Sequence, residues 1–269
     1  MRISVLATLI ALLTTTAALS QMYPGATPVP RTTSAPALAD LAKQREVEER
    51  FRIGLAALSA ANYKGAAAEF ARVVAINPAE PKGSTARYDL AIAYANLQRE
   101  DDAAAQLRAA IELDPGFLAA MANLVAVDLA RGDFTEARSV ADRFLALAPD
   151  SARALYARGI VALGTGDAAT AREDFGKLLH SNPAYAVAHY DLAIAEERLG
   201  HIDAAERELR TALSLAPTYA RAEFALGAVL LRQGRRSEAR DAFVRTMQDA
   251  SGDPALLNIA AAMRDSIAI

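Results

Sequence analysis

The chain has 269 residues, is 53% hydrophobic but only 6% aromatic, and carries a formal net charge of -3. So mild an acidity leaves no basic field to concentrate nucleic acid or to hold the protein on an anionic bilayer. Cysteine is absent, which excludes disulfides, thiolate nucleophiles and Cys-based zinc sites and suits an oxidising compartment.

In chain order, Met1 to Ser20 has the parts of a secretory signal. Arg2 is a minimal positive start, Ile3 to Leu13 is apolar, and Thr14 to Ser20 is built of small residues. Ala18 and Ser20 fit the small-x-small rule, so cleavage before Gln21 is expected. The apolar run is roughly half the ~20 residues a spanning helix needs. A retained anchor is therefore the lesser alternative, and the expectation is an exported, periplasmic chain without stable membrane insertion after cleavage. Residues 21–36 form a linker with Pro24, Pro28, Pro30 and Pro36, an extended spacer with little to bury.

From Ala37 the pattern is helical. A first helix to about Ala60 is followed by the turn Ala61-Asn62-Tyr63 and a second helix to Ile76. The chain then repeats itself. Ala86 to Pro115 and Ala188 to Pro217 match at 15 of 30 positions without a gap, at an offset of 102 residues, three times 34. Pro115, Pro149, Pro183 and Pro217 fall 34 apart, as do Gly132, Gly166, Gly200 and Gly234. Glycine suits the left-handed residue that closes a helix. Proline suits the stop after the second helix, because it lacks an amide proton and crowds the turn before it. The spacing from Pro78 to Pro115 is 37, so three residues are inserted near Ala79 to Gly83.

A fixed period of this length marks stacked repeats. The pattern resembles the tetratricopeptide repeat, a helix-turn-helix of about 34 residues with a Leu-Gly pair in the first helix, then A-x3-F, then proline. The pair appears as Ile53-Gly54, Leu90-Ala91, Leu192-Ala193 and Leu226-Gly227, with Gly159 alone in the fourth copy. Ala66, Ala103, Ala137, Ala171, Ala205 and Ala239 are each followed, four places later, by Phe70, Leu107, Ala141, Phe175, Leu209 and Phe243. The resemblance implies an all-α solenoid over 37–251, with repeats at about 47–80, 84–117, 118–151, 152–185, 186–219 and 220–251. Residues 252–269 would then cap its apolar end, with Asp253 and Pro254 opening a last helix whose apolar face is Leu256, Ala260, Met263 and Ile267. The family's opening tryptophan is replaced by Arg50, Arg87, Met121, Leu155, His189 and Glu223, so that place is expected to be exposed or loosely packed.

In this family the first helices line a concave groove that holds peptides, so the resemblance directs attention to their columns. One carries Phe51, Tyr88, Ala122, Tyr156, Tyr190 and Phe224. It reads either as a ladder for an extended ligand or as packing between neighbouring first helices. Nearby columns carry Asn123, Arg153, Arg198, Arg221 and Arg232, with Glu48 near the other end and Glu197 breaking the basic run. Arginine grips carboxylates through paired hydrogen bonds, favouring an acidic segment or a free C-terminus; a solvated charged face is the other reading. Only Asn123 and Arg153 match the family's carboxylate clamp, while Tyr88, Ile92 and Ala157 fill its other places.

No catalytic constellation stands out. His180, His189 and His201 are scattered, so neither a metal nor a cofactor is expected. Asp89 and Asp191 are equivalent residues three repeats apart; at about 8 to 10 Å per packed helix they fall outside the ~5 to 9.5 Å range of paired acid-base carboxylates. The expected function is a non-enzymatic adaptor that binds a peptide or protein segment in envelope complex assembly. The alternative is a scaffold for envelope polysaccharide export.

Overall fold

A computed structural model describes residues 35–76, 81–250 and 252–267. The expected signal, and the linker up to residue 34, lie outside the described residues. Among them are thirteen α-helices and no strand: α1 Ala35–Ser59, α2 Tyr63–Ile76, α3 Pro81–Asn96, α4 Glu100–Leu113, α5 Leu118–Arg131, α6 Phe134–Leu147, α7 Ala152–Gly164, α8 Ala168–Ser181, α9 Ala186–Arg198, α10 Ile202–Leu215, α11 Ala220–Arg232, α12 Arg236–Asp249 and α13 Pro254–Ser266. Odd-numbered helices up to α11 are the first helices of six pairs. The fold is all-α, of the solenoid class, and no helix among the described residues is long and apolar enough to cross a membrane.

The helices form two compact units that divide between Val140 and Ala141, within α6. In the amino-terminal unit each helix from α1 to α5 packs on the next, and α1 also touches α3. In the carboxy-terminal unit the same holds from α7 to α13, with α9 touching both α7 and α11.

Within a pair, the packing follows from the sizes of two side chains, one on each helix. Gly54, Gly159 and Gly227 face Phe70, Phe175 and Phe243 so closely that an added Cβ would lie 2.8, 2.6 and 2.7 Å from a ring carbon. Those phenylalanines are fully buried. Where the phenylalanine becomes Leu107 or Leu209, the glycine becomes Ala91 or Ala193, and all four are buried. Volume is conserved across the contact, as close packing requires.

The turns inside each pair need one left-handed residue. Gly132, Gly166, Gly200 and Gly234 supply it at φ 78 to 84°, whereas the first two pairs use Ala61 at φ 54° and Gln98 at φ 59°. Side-chain caps open α7, α8 and α13: Ser151 accepts from the Ala154 amide, Asp167 from Thr170 and Asp253 from Leu256. The last, with Pro254 following, begins α13 as the sequence predicts. On that helix Ala260 is buried, and Met263 packs with the buried Ile267 on the core that includes Leu226, Leu230 and Phe243.

The three inserted residues extend a helix. Helix α3 begins at Pro81 and runs 16 residues, against 13 or 14 for the first helices α5 to α11. Pro81 to Gly83 are added at its amino end.

One expectation needs correction: the place of the missing tryptophan is neither exposed nor loose, since Met121 is fully buried, and Leu155 and Glu223 nearly so. Where the residue there is polar, it pairs with a partner on the second helix. Arg50 donates to Glu69 at 3.1 Å, Arg87 to Gln106 at 3.0 Å, and His189 Nδ1 lies 2.6 Å from Glu208. Glu223 accepts from Arg245 at 2.7 Å. A long polar side chain fills the space with its stem and ends on a paired head group.

Candidate ligand-binding face

The first helices of the carboxy-terminal unit bring together four tyrosines around one carboxylate. Tyr156 on α7 and Tyr190 on α9 occupy equivalent places in successive repeats, and each stacks on a ring at the start of the next. Tyr156 lies 5.6 Å from Tyr185, and Tyr190 lies 5.2 Å from Tyr219, measured between ring centroids. Tyr185 and Tyr219 are the residues just before α9 and α11, two positions after the repeat prolines Pro183 and Pro217. The Tyr156 hydroxyl donates to Asp191 Oδ2 at 2.9 Å.

Asp191 is buried, and desolvation raises its pKa to about 7, outweighing the hydrogen bond from Tyr156 and the nearby charge of Arg221, both of which lower it. The same burial, with the Asp191 charge beside them, pushes the hydroxyls of Tyr156, Tyr190 and Tyr219 up. The phenols therefore stay protonated and act as donors or apolar walls.

Of the aromatic column predicted from sequence, Phe51 and Tyr156 are buried, while Tyr88, Tyr190 and Phe224 are half-buried. Phe51 packs on Phe70 at 5.5 Å, Tyr156 on Phe175 at 5.9 Å and Phe224 on Phe243 at 5.4 Å. Tyr88 stacks on Phe117 at 5.1 Å. For Phe51 and Tyr156 the environment is thus packing; Tyr190, Tyr219 and Phe224 retain accessible area.

The arginines differ among themselves. Arg153 is exposed and has no ion pair among the described residues, although its charge is felt at Tyr185. Arg221 is half-buried, 3.7 Å from Asp253 and within electrostatic reach of Asp191. Arg198 donates to the Leu163 carbonyl, and Arg232 pairs with Glu197 at 3.0 Å. These last two are already engaged. Asn123, in the amino-terminal unit, is buried with its Oδ1 lacking a donor among the described residues.

Sequence reasoning missed Tyr185, Tyr219 and Phe117. An aromatic two places after the closing proline recurs wherever the first-helix column is tyrosine, and that pattern is a usable signal. Among the described residues no group of three or more His, Cys, Asp or Glu is placed to hold a metal. The arrangement offers phenolic and guanidinium donors beside apolar rings, which suits reversible binding of an acceptor-rich chain.

Comparison with known proteins identifies the scaffold. The tetratricopeptide repeat family model matches residues 51–116, 124–189 and 190–254. Among solved structures, a tetratricopeptide repeat protein from Parabacteroides merdae is similar with a TM-score of 0.67, at 16% identity over 84% of this chain and 94% of that one. Pseudomonas aeruginosa pilF has a TM-score of 0.66 at 16% identity, over 82% of this chain and 99% of its own. YrrB, described as a TPR protein with an unusual peptide-binding site, has a TM-score of 0.55 at 16% identity, covering 72% and 97%. At these identities the likeness shows the fold. No curated protein matches the chain, and no catalytic family is indicated. The chain belongs to the tetratricopeptide repeat family, whose members commonly bind protein or peptide partners.

Proposed function

We propose that this protein is an exported, non-enzymatic adaptor that holds an extended peptide segment of a partner on the first-helix face of α7, α9 and α11. The observation that carries this reading is the exposed guanidinium of Arg153 and the half-buried one of Arg221 flanking the stacked tyrosine pairs. Half-buried tyrosine gives apolar contact with a polar tip, and arginine gives paired donors to carboxylates. An acidic segment or a free C-terminal carboxylate fits that chemistry. The scaffold requires no folding on contact, so a few anchors dominate affinity. The solved structure of YrrB, with its peptide-binding site, supports the class of ligand by analogy of fold.

The signal-like residues 1–20 support export, and the assembly of envelope protein complexes is the role that follows. Two measurements test the reading. Pull-down from an envelope extract recovers a partner with the wild-type chain and loses it with Arg153→Ala/Tyr190→Ala/Arg221→Ala; undiminished recovery refutes the face. Mass spectrometry of the fractionated protein finds a mature chain beginning at Gln21 in the periplasm; a full-length cytosolic product refutes export. Competition by soluble saccharide at millimolar concentration would instead favour a polymer ligand.

A further inference from the structure

The first helices of the amino-terminal unit hold three buried acceptor atoms with no donor among the described residues, Asp89 Oδ2, Asn123 Oδ1 and Asp128 Oδ2; Asp128 is paired through its other oxygen with Arg108 and Arg131. Asp89 on α3 and Asn123 on α5 occupy the same place one repeat apart, and each is only 7% exposed. Neither Oδ2 of Asp89 nor Oδ1 of Asn123 has a hydrogen-bond partner among the described residues. A buried oxygen in that state carries its full desolvation cost, and native proteins seldom leave one so without a reason.

Repeat register explains how the state arises at Asp89. Phe51, Tyr156 and Phe224 are structural equivalents, because they pack in the same way on Phe70, Phe175 and Phe243 of their own second helices. Tyr88 and Tyr190 are equivalents as well, because they stack on Phe117 and Tyr219, each just before the next first helix. Asp89 therefore corresponds to Asp191. Asp191 receives its hydrogen bond from Tyr156 of the preceding repeat. The corresponding residue before Asp89 is Phe51, on the helix α1 that touches α3, and phenylalanine has no hydroxyl.

An ionised Asp89 accepts and does not donate, and the Asn123 oxygen also accepts, so the group that serves the ionised form is a donor. Beside a carboxylate, a positively charged donor gains most. Desolvation raises Asp89 to about 7, with no cation among the described residues to draw it back. A metal is the poorer match, since the described residues contain no cluster of three ligands. We propose that Asp89, with Asn123 one repeat on as a second acceptor, receives a donor-only cation: the ammonium or guanidinium group of a lysine or arginine side chain presented by a bound peptide. The site is separate from the tyrosine and arginine face of the other unit, selects the opposite charge, and does not depend on it.

The test uses the full-length protein labelled with 13C and 15N, titrated at constant ionic strength with n-butylammonium, ethylguanidinium or neutral n-butanol. The cations shift the Asp89 carboxyl carbon and the Asn123 side-chain amide saturably, while n-butanol does not. Saturation lowers the Asp89 titration midpoint by about one pH unit, the equivalent of a roughly tenfold preference for the ionised form. The stronger of the two cations tells a lysine site from an arginine site. In Asp89→Asn, checked for helical content, the response at Asn123 disappears. Phe51→Tyr, which supplies the hydroxyl that Tyr156 gives Asp191, also abolishes it. Resonances unmoved by either cation would overturn the proposal and leave water as the donor; an equal response in Asp89→Asn, or one as large at Asp191, would overturn it too. Loss of partner capture through Arg153 and Tyr190 would leave these resonances unchanged, so the two readings fail separately.

Discussion

Asp89 and Asp191 sit in the two most similar stretches of the chain, yet in different company. Asp191 accepts from Tyr156 and lies within reach of Arg221; Asp89 has neither a hydroxyl nor a cation among the described residues. Burial nonetheless brings both to about the same pKa, near 7. The donor comes from the preceding repeat, Tyr156 in one unit, where the other has Phe51, and Arg221 adds a charge that Asp89 lacks among the described residues. A repeat scaffold fixes where a side chain stands; what it can bind is set by the residue that the neighbouring repeat contributes. In this protein that rule gives one unit a face of donors and leaves acceptors at Asp89 and Asn123 unmet in the other.

The contrast can be broken most strongly through Asp89 itself. Its folded pKa of about 7 stands above the ordinary carboxylate value, so the native state binds more protons than the unfolded chain between about pH 4 and 7. Stability from this group is present below that window and is lost as pH rises through 7, at up to about 1.4 kcal/mol per unit. Asp89→Asn should therefore be more stable than wild type at pH 8, by about 3 kcal/mol more than at pH 5. Denaturant melts at the two pH values check this, and a pH-independent difference would contradict it.

Tyr156→Phe removes from the Asp191 site the hydroxyl that the Asp89 site lacks. Losing the donor to a buried carboxylate should cost about 1.5 to 3 kcal/mol. The reverse change, Phe51→Tyr, should stabilise by about 1 kcal/mol where the hydroxyl reaches Asp89, and paired chemical denaturation measures both.

Where the units agree, substitutions should act alike. Gly54→Ala and Gly159→Ala each push a methyl onto a buried phenylalanine and should cost about 1 to 2 kcal/mol, overpacking outweighing the helix propensity gained. Adding Phe70→Leu or Phe175→Leu, the combination already present at Ala91 with Leu107 and Ala193 with Leu209, should recover most of that loss. A double mutant no more stable than its parent would show that the size exchange is coincidental. Smallest is the effect at the turns: Ala61→Gly and Gln98→Gly relieve left-handed non-glycine residues and should each stabilise by about 0.5 to 1 kcal/mol. Hydrogen exchange at the flanking amides would register the gain.

The period, the turn glycines, the helix stops and the cap at Asp253 are legible in the sequence, since each has a local cause in backbone chemistry. The exchange of Gly-Phe for Ala-Leu is visible as two columns, but its meaning needs the contact between paired helices. Partial burial at Arg50, Arg87 and His189 is hidden because polar residues suggest solvent, and only the second-helix partners reveal why they pack. Asp89 and Asp191 stand out in sequence as equivalents of one another, which says nothing of the neighbours that set them apart.

Peptide binding decides whether the two units differ as described. Immobilised arrays of acidic and basic peptides, probed with wild type, Asp89→Asn and Arg153→Ala/Arg221→Ala, would measure it directly. The expected outcome is selective loss: basic peptides released by Asp89→Asn alone, acidic peptides by the arginine variant alone. If either variant abolished both classes, or neither class bound the wild type, the assignment of opposite preferences to the two units would be wrong.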